Sequence, residues 1–245
     1  MRVAGALHAL DLPAAVAPAV AALWEGRPLD SAAGSAVDDA LRAAGARIFD
    51  GGAPARVDLV LPSAIVAGAP WEALVPRGVP VVRRAPGAVA HTRPARPPLR
   101  AAVAPDATLP DAILAAVFGT RDYTPLLVLR PWPSPRAEVV QLRALPELGE
   151  VATLYAALTS AGAQLLLVEA YAYGARVAAR GVAWALVAAG VPEVVVIEDP
   201  GVLPELWADL VQGRPLVDRL FRSDWTFGTC AAGCDALPWV RRFTA

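Results

Sequence analysis

A chain of 245 residues, 56% hydrophobic and 18% charged, can bury the core of one large or two small α/β domains, which excludes disorder as its main state. Its net charge of -1 excludes broad electrostatic capture of nucleic acid or anionic lipid. All 22 basic residues are arginine, a bias expected of a GC-rich bacterial genome, and the absence of lysine excludes a P-loop, a Schiff base and a lysine general base.

Val3 to Leu10 is an apolar stretch broken by Asp11 and Pro13, with no cleavage site after it, so a secretory leader is not expected. Leu12 to Trp24 has helix-forming composition that Pro18 kinks or splits. A firmer helix is predicted over Asp30 to Ala46, capped by Ser31 or Ser35, with Val37, Leu41 and Ala44 on one face and Gly45, Gly51 and Gly52 closing the section. Val57 to Leu61 and Val79 to Arg83 read as strands, the second following a turn at Pro76 to Gly78. Pro86 to Pro98 has the proline-rich composition of an extended connector. A boundary there separates residues 1–90 from residues 91–245.

Beyond the connector, Leu99 to Ala104 predicts a strand, Leu109 to Phe118 a helix and Leu126 to Leu129 another buried strand. Leu148, Val151, Leu154, Tyr155 and Leu158 recur at helical spacing, and Gly162 ends that helix. Leu165 to Val168 is a continuous apolar run too short for a helix; Gly181 to Gly190 follows at helical spacing, then the run Val194 to Ile197. Alternation of this kind predicts an α/β fold with a mainly parallel sheet flanked by helices. No apolar run reaches the ~18 residues that a membrane span requires. In such folds ligands and nucleophiles sit just past the carboxyl ends of the strands, which points to Glu169, Tyr171 and Tyr173 after one strand and to Glu198 and Asp199 after the next.

Two separate stretches resemble the CHAT family of caspase-like (clan CD) proteins. LLLVEAYAYG followed by GVAWALVAAGV is similar to the family's LVVLNACESG strand and its GVARALLAAGV helix, and it puts Tyr171 where the family has its cysteine nucleophile. AGAPWEALVPRGVPVVRRAPG resembles the LPWE-like motif and PVVRRLP segment of the family's amino-terminal subdomain through Pro70, Trp71 and Glu72, and LRAAGARIFDG resembles the helix before it. The resemblance implies a caspase-like sheet in residues 91–245 and a smaller α/β subdomain in residues 1–90. It also implies a catalytic histidine at the end of the strand preceding the nucleophile strand, and PLLVLRPWPSP places that position near Pro131 or Trp132. Neither residue accepts a proton. A tyrosine hydroxyl, with a pKa of about 10, does not take over the work of a thiolate.

The other chemistry-bearing residues give no second site. His8 falls in the apolar amino-terminal stretch and His91 in the connector, so neither is placed as a base. Cys230 and Cys234 in TCAAGCD lack the further ligands that tetrahedral zinc needs, and two cysteines do not form a disulfide scaffold in a chain of this length. No metal or cofactor is expected: no G-x-S-x-G and no G-x-G-x-x-G occurs. Tyr171 and Tyr173 face the same side if the strand continues, and together they plug the nucleophile pocket. Glu198 and Asp199 read either as a carboxylate pair that recognises an arginine or as a solvated loop and cap before the helix Leu203 to Gln212. Trp71 and Glu72 read as an anchor of the amino-terminal core, and the aromatic close with Trp225, Phe227, Trp239 and Phe243 as core packing or an interaction surface.

The expectation is a cytoplasmic, catalytically inactive CHAT-like protein that binds a protein partner, as regulator, scaffold or partner subunit. The resemblance implies a bacterial defence or signalling setting. The rivals are a divergent cysteine hydrolase using Cys230 or Cys234, and a small-ligand sensor that uses the vacated pocket.

Overall fold

The computed structural model describes residues 2–3, 6–7, 19, 22, 31–54, 57–76, 79, 81–85, 98–111, 113, 127–143, 150–212 and 240–244. Predictions for the segment 86–97, for most of 109–126 and for the segment 213–239 fall outside them, as do His8, His91, Cys230 and Cys234. Short β1 (Arg2–Val3) and β2 (Ala6–Leu7) pair antiparallel. Helix α1 (Ser31–Ile48) follows, then β3 (Val57–Val60), α2 (Ala64–Ala67), a 3-10 turn (Trp71–Leu74) and β4 (Val81–Arg84). The chain continues through β5 (Leu99–Val103), β6 (Leu127–Pro131) and β7 (Val139–Leu142), then α3 (Val151–Ala161) and β8 (Leu165–Glu169). It closes with α4 (Tyr173–Ala189), β9 (Glu193–Ile197), a 3-10 turn (Pro200–Val202), α5 (Leu203–Val211) and β10 (Val240–Thr244).

Strands β3 to β10 form one sheet in the order β3-β4-β10-β9-β8-β7-β5-β6. From β9 to β6 five neighbours run parallel, so the chain has the mainly parallel α/β architecture flanked by helices that the sequence predicts. Only β10 runs against β9; it pairs in parallel with β4, so β3, β4 and β10 point opposite to the other five strands. The parts of the chain before and after the proline-rich connector therefore contribute to a single sheet.

Alternation along the strands builds two cores. Ala102, Val140, Leu142, Leu166, Val168, Val194 and Val196 meet Leu154 and Leu158 of α3 and Val182 and Leu186 of α4 on one face. Leu99, Val139, Leu165, Leu167, Val195 and Ile197 meet Leu206, Trp207 and Leu210 of α5 on the other, joined by Ile113 from the β5 to β6 connection. Every residue of β8 is buried, which explains why its sequence is a continuous apolar run rather than an alternating one. The chain moves from β5 outward to β6, then back past β5 to β7 and onward. Covering elements change face where the direction reverses, as crossovers of one hand require. Strand β7 escapes the sequence pattern, because VVQL is four residues long and is broken by a glutamine.

The amino-terminal part is joined to the sheet by two buried arginines reading one turn. Arg83 donates to Glu72 at 2.5 and 2.6 Å, to the Ala67 carbonyl and, at 2.7 Å, to the Ala69 carbonyl. Arg180 of α4 donates to the Gly68 carbonyl between them at 3.2 Å and holds Glu198 at 2.9 and 3.0 Å. Burying such charges is costly unless every donor finds an acceptor, and these carbonyls supply what the carboxylates do not. Trp71 donates to Val66 O at 2.6 Å and Trp184 to Leu61 O at 2.8 Å, adding clamps within α2 and just before it.

Close backbone approach fixes α1 in the same region. A Cβ on Gly45 would lie 1.9 Å from the Leu74 carbonyl oxygen, so only glycine lets the helix settle on the 3-10 turn. Glycine to alanine inside a helix ordinarily gains about 0.5–1 kcal/mol from propensity, whereas forcing atoms into a filled contact costs about 1–3 kcal/mol. Gly45→Ala is therefore expected to lower stability in urea unfolding; an unchanged or raised midpoint would show that α1 does not sit this close.

Candidate functional site

The carboxyl ends of the parallel strands carry the candidate residues. The order of connections reverses between β5 and β7, the switch point where ligands bind in folds of this class, and there the loop after β5 folds across the end of β7, with Ala104 N–H bonded to Gln141 O at 2.9 Å. Residues 104–108 follow β5 and Arg143 follows β7. Tyr171 sits beyond β8, on the other side of β7 from β5.

Glu169, the last residue of β8, points to the α5 face and is 2% exposed. A buried carboxylate needs donors, and three reach it. Its Oε1 accepts from the Thr108 backbone N–H and from Gln141 Nε2, each at 2.6 Å, and its Oε2 accepts from the Tyr171 hydroxyl at 2.6 Å. Gln141 is itself fully buried; its Nε2 also donates to Thr108 O at 2.8 Å, and its Oε1 accepts from the Trp207 indole at 2.7 Å. Trp207, Gln141, Glu169 and Tyr171 thus form a hydrogen-bonded line from α5 across the sheet end to the half-buried tyrosine.

This line determines what Tyr171 can do. Burial, then the hydrogen bond to Glu169 and its charge, push the phenol pKa well above its ordinary value; Thr108 and the Arg143 cation oppose that only in part. The hydroxyl is a fixed donor, not an incipient oxyanion. Arg143 is exposed, lies over the Tyr171 ring at 5.9 Å and donates from Nη1 to the Asp106 carbonyl at 3.3 Å, reaching across the switch point.

Other sequence candidates occupy different places. Pro131 ends the outermost strand, β6, and Trp132 follows it, separated from β8 by β5 and β7; the strand beside β8 is β7, which ends in Gln141 and Leu142 and is followed by Arg143. The strand end flanking Tyr171 on this side therefore belongs to β7. The β8 strand stops at Glu169 and Tyr173 opens α4, so the alternation expected to align Tyr173 with Tyr171 does not continue. Glu198 is buried against Arg180, and its backbone carbonyl accepts from Arg176 Nη2 at 3.1 Å. Asp199 caps the following turn by accepting from Gly201 N at 2.8 Å. Pro70 precedes the 3-10 turn that holds Trp71 and Glu72, away from this edge and against the Arg83 cluster.

No protein-family model matches the chain, and no curated protein and no solved structure matches it significantly. Among the described residues no group of three or more histidine, cysteine, aspartate or glutamate side chains could hold a metal ion, and no helix is long and apolar enough to cross a membrane. Sequence reading missed Gln141, Thr108, Arg143 and Trp207. The only local signal was a glutamine inside a short apolar run, which has meaning once β7 lies beside β8.

The Tyr171 bond has a pH signature. Folding keeps its proton above the unfolded value of about 10, so there the unfolded chain binds fewer protons than the native one. The stabilisation is complete below about pH 10 and is lost as pH rises beyond it. Tyr171→Phe is expected to cost about 1 kcal/mol at neutral pH, with the gap from wild type narrowing above pH 10 in urea unfolding. A gap that stays constant into the alkaline range would show that the hydroxyl is not held by Glu169.

Proposed function

We propose that the chain is a catalytically inactive, CHAT-like caspase-fold protein that acts by binding, as regulator, scaffold or partner subunit of a bacterial defence or signalling system, in the cytoplasm. The observation carrying this reading is the hydrogen bond from Tyr171 to Glu169 at the nucleophile position, 2.6 Å long and closed at its other end by Gln141 and Thr108. A nucleophile needs a neighbour that removes its proton. Here the carboxylate beside the hydroxyl stabilises the protonated form, and β7 presents Gln141, an amide that is already committed on both its polar atoms. The site invests its polar groups in a fixed arrangement. Such rigidity suits a surface that presents a shape to a protein partner, whereas acyl transfer needs a proton to move at each step.

Peptide-library digestion and cysteine-directed electrophiles test this directly. Wild-type protein is expected to cleave no peptide and to be labelled at Cys230 or Cys234 only at the rate of ordinary thiols. Tyr171→Cys is expected to remain inactive as well, because it restores a thiol without a base. Turnover by either protein, or fast stoichiometric labelling of either natural cysteine, would replace this reading with a divergent cysteine hydrolase.

A further inference from the structure

The connection from β6 to β7, residues 132–138, is a crossover with no helix in it. Trp132 N–H bonds to Val103 O at 2.9 Å and Glu138 N–H to Arg100 O at 2.8 Å, so this strap runs back along β5 from its carboxyl to its amino end. Trp132 and the buried Ala137 hold it on the sheet face that α3 and α4 cover over β7, β8 and β9. No residue of β6 joins that core, and among the described residues no helix covers β6 on this side.

Strand register leaves a cationic surface there. Val128 of β6 is half-buried; its partner across the strand pair, Arg100, is exposed, and so is Arg130, two residues along on the same face. On the strap Arg136 is exposed too, as are Pro133 and Pro135. Among the described residues no ion pair engages these three arginines. The carboxylate that the register brings beside them is Glu138, whose Oε2 accepts from the Arg100 backbone N–H at 3.3 Å. We propose that this face of β5 and β6 is an interaction surface for an acidic amphipathic helix of a partner protein, with Arg100, Arg130 and Arg136 as its charge partners.

Coverage and charge together choose that occupant. A parallel sheet is ordinarily covered on both faces, and helices are what cover it, so the stretch under the strap lacks a layer that the rest of the sheet has. Charge selects the chemistry of that layer: guanidinium forks match carboxylates, and three cations beside one carboxylate repel a basic partner. A second copy of this chain would bring the same arginines against these across a twofold axis, which like charge opposes. The strap prolines add apolar contact from a backbone that is already restricted, so docking costs little further entropy.

The proposal rests on reading the chain as a binding protein, and its measurement is separate from peptidase activity. Full-length protein is titrated into a fluorescein-labelled peptide of about 18 residues, long enough to form a helix, with leucine at helical spacing and glutamate elsewhere. Fluorescence anisotropy is expected to show saturable binding, and the same peptide with glutamine for glutamate is expected to bind about tenfold weaker or worse. Combining Arg100→Gln, Arg130→Gln and Arg136→Gly is expected to weaken the acidic peptide by a similar factor, while Arg42→Gln on α1 binds as wild type. Arg136 has φ 62, a conformation that glycine adopts more easily. Arg136→Gly alone should therefore weaken binding with the urea midpoint unchanged or raised, a split that a merely structural role would not produce. No saturable binding of the acidic peptide, or equal binding by the triple variant, overturns the proposal and leaves the non-catalytic reading in place. Tighter binding of a single-stranded thymidine oligonucleotide, or a dimer in sedimentation that the triple variant dissolves, overturns it in favour of nucleic acid or of a second copy. Peptide-library cleavage with binding intact would instead remove the non-catalytic reading and leave this surface standing.

Discussion

A single buried carboxylate organises the carboxyl edge of the sheet in this protein. Glu169 ends the central strand inside an apolar layer formed with α5, where an ionised group costs several kcal/mol unless its lone pairs are filled. The three donors that fill them come from three different segments: the loop after β5, strand β7 and the residue two beyond β8 itself. Satisfying Glu169 therefore fixes the spacing of those segments. Gln141 extends the constraint to α5, because its carbonyl oxygen is fully buried and takes the Trp207 indole as its partner.

A second buried polar cluster does for the amino-terminal part what Glu169 does for the edge. Three consecutive carbonyls, from Ala67 to Ala69, are taken by Arg83 of β4 and Arg180 of α4. One turn is thereby read from two sides, by arginines whose carboxylate partners, Glu72 and Glu198, lie before β4 and after β9. Small residues make this possible. A Cβ on Gly181 would stand 2.9 Å from the Ala64 carbonyl, so α2 and α4 meet nearly backbone to backbone. The alanine and glycine richness of the chain, a matter of genome composition at first sight, thus has structural use at these crossings.

The two clusters meet where β8 pairs with β9. Arg180 and Arg176 both contact Glu198, immediately after β9, while Ala170 N–H bonds to Ile197 O beside it. Movement of the Tyr171 loop would therefore disturb Glu198 and, through Arg180, the Gly68 turn.

Much of the fold was legible locally. Strands β3, β5, β8 and β9 and helices α1, α3 and α4 follow from apolar periodicity and from glycine at their ends, with Gly162 and Gly190 taking the left-handed conformation past α3 and α4. Strand β7 was not legible, because its identity lies in its neighbours. Sequence alone determined that Tyr171 stands after the central strand and that no histidine follows the strands around it, since covalent order and residue type decide both. What Tyr171 is held by only the tertiary structure decided. Glu169, Gln141, Thr108 and Trp207 are dispersed over a hundred residues of chain, and they become one hydrogen-bonded line when sheet order brings β7 between β5 and β8 and lays α5 across them.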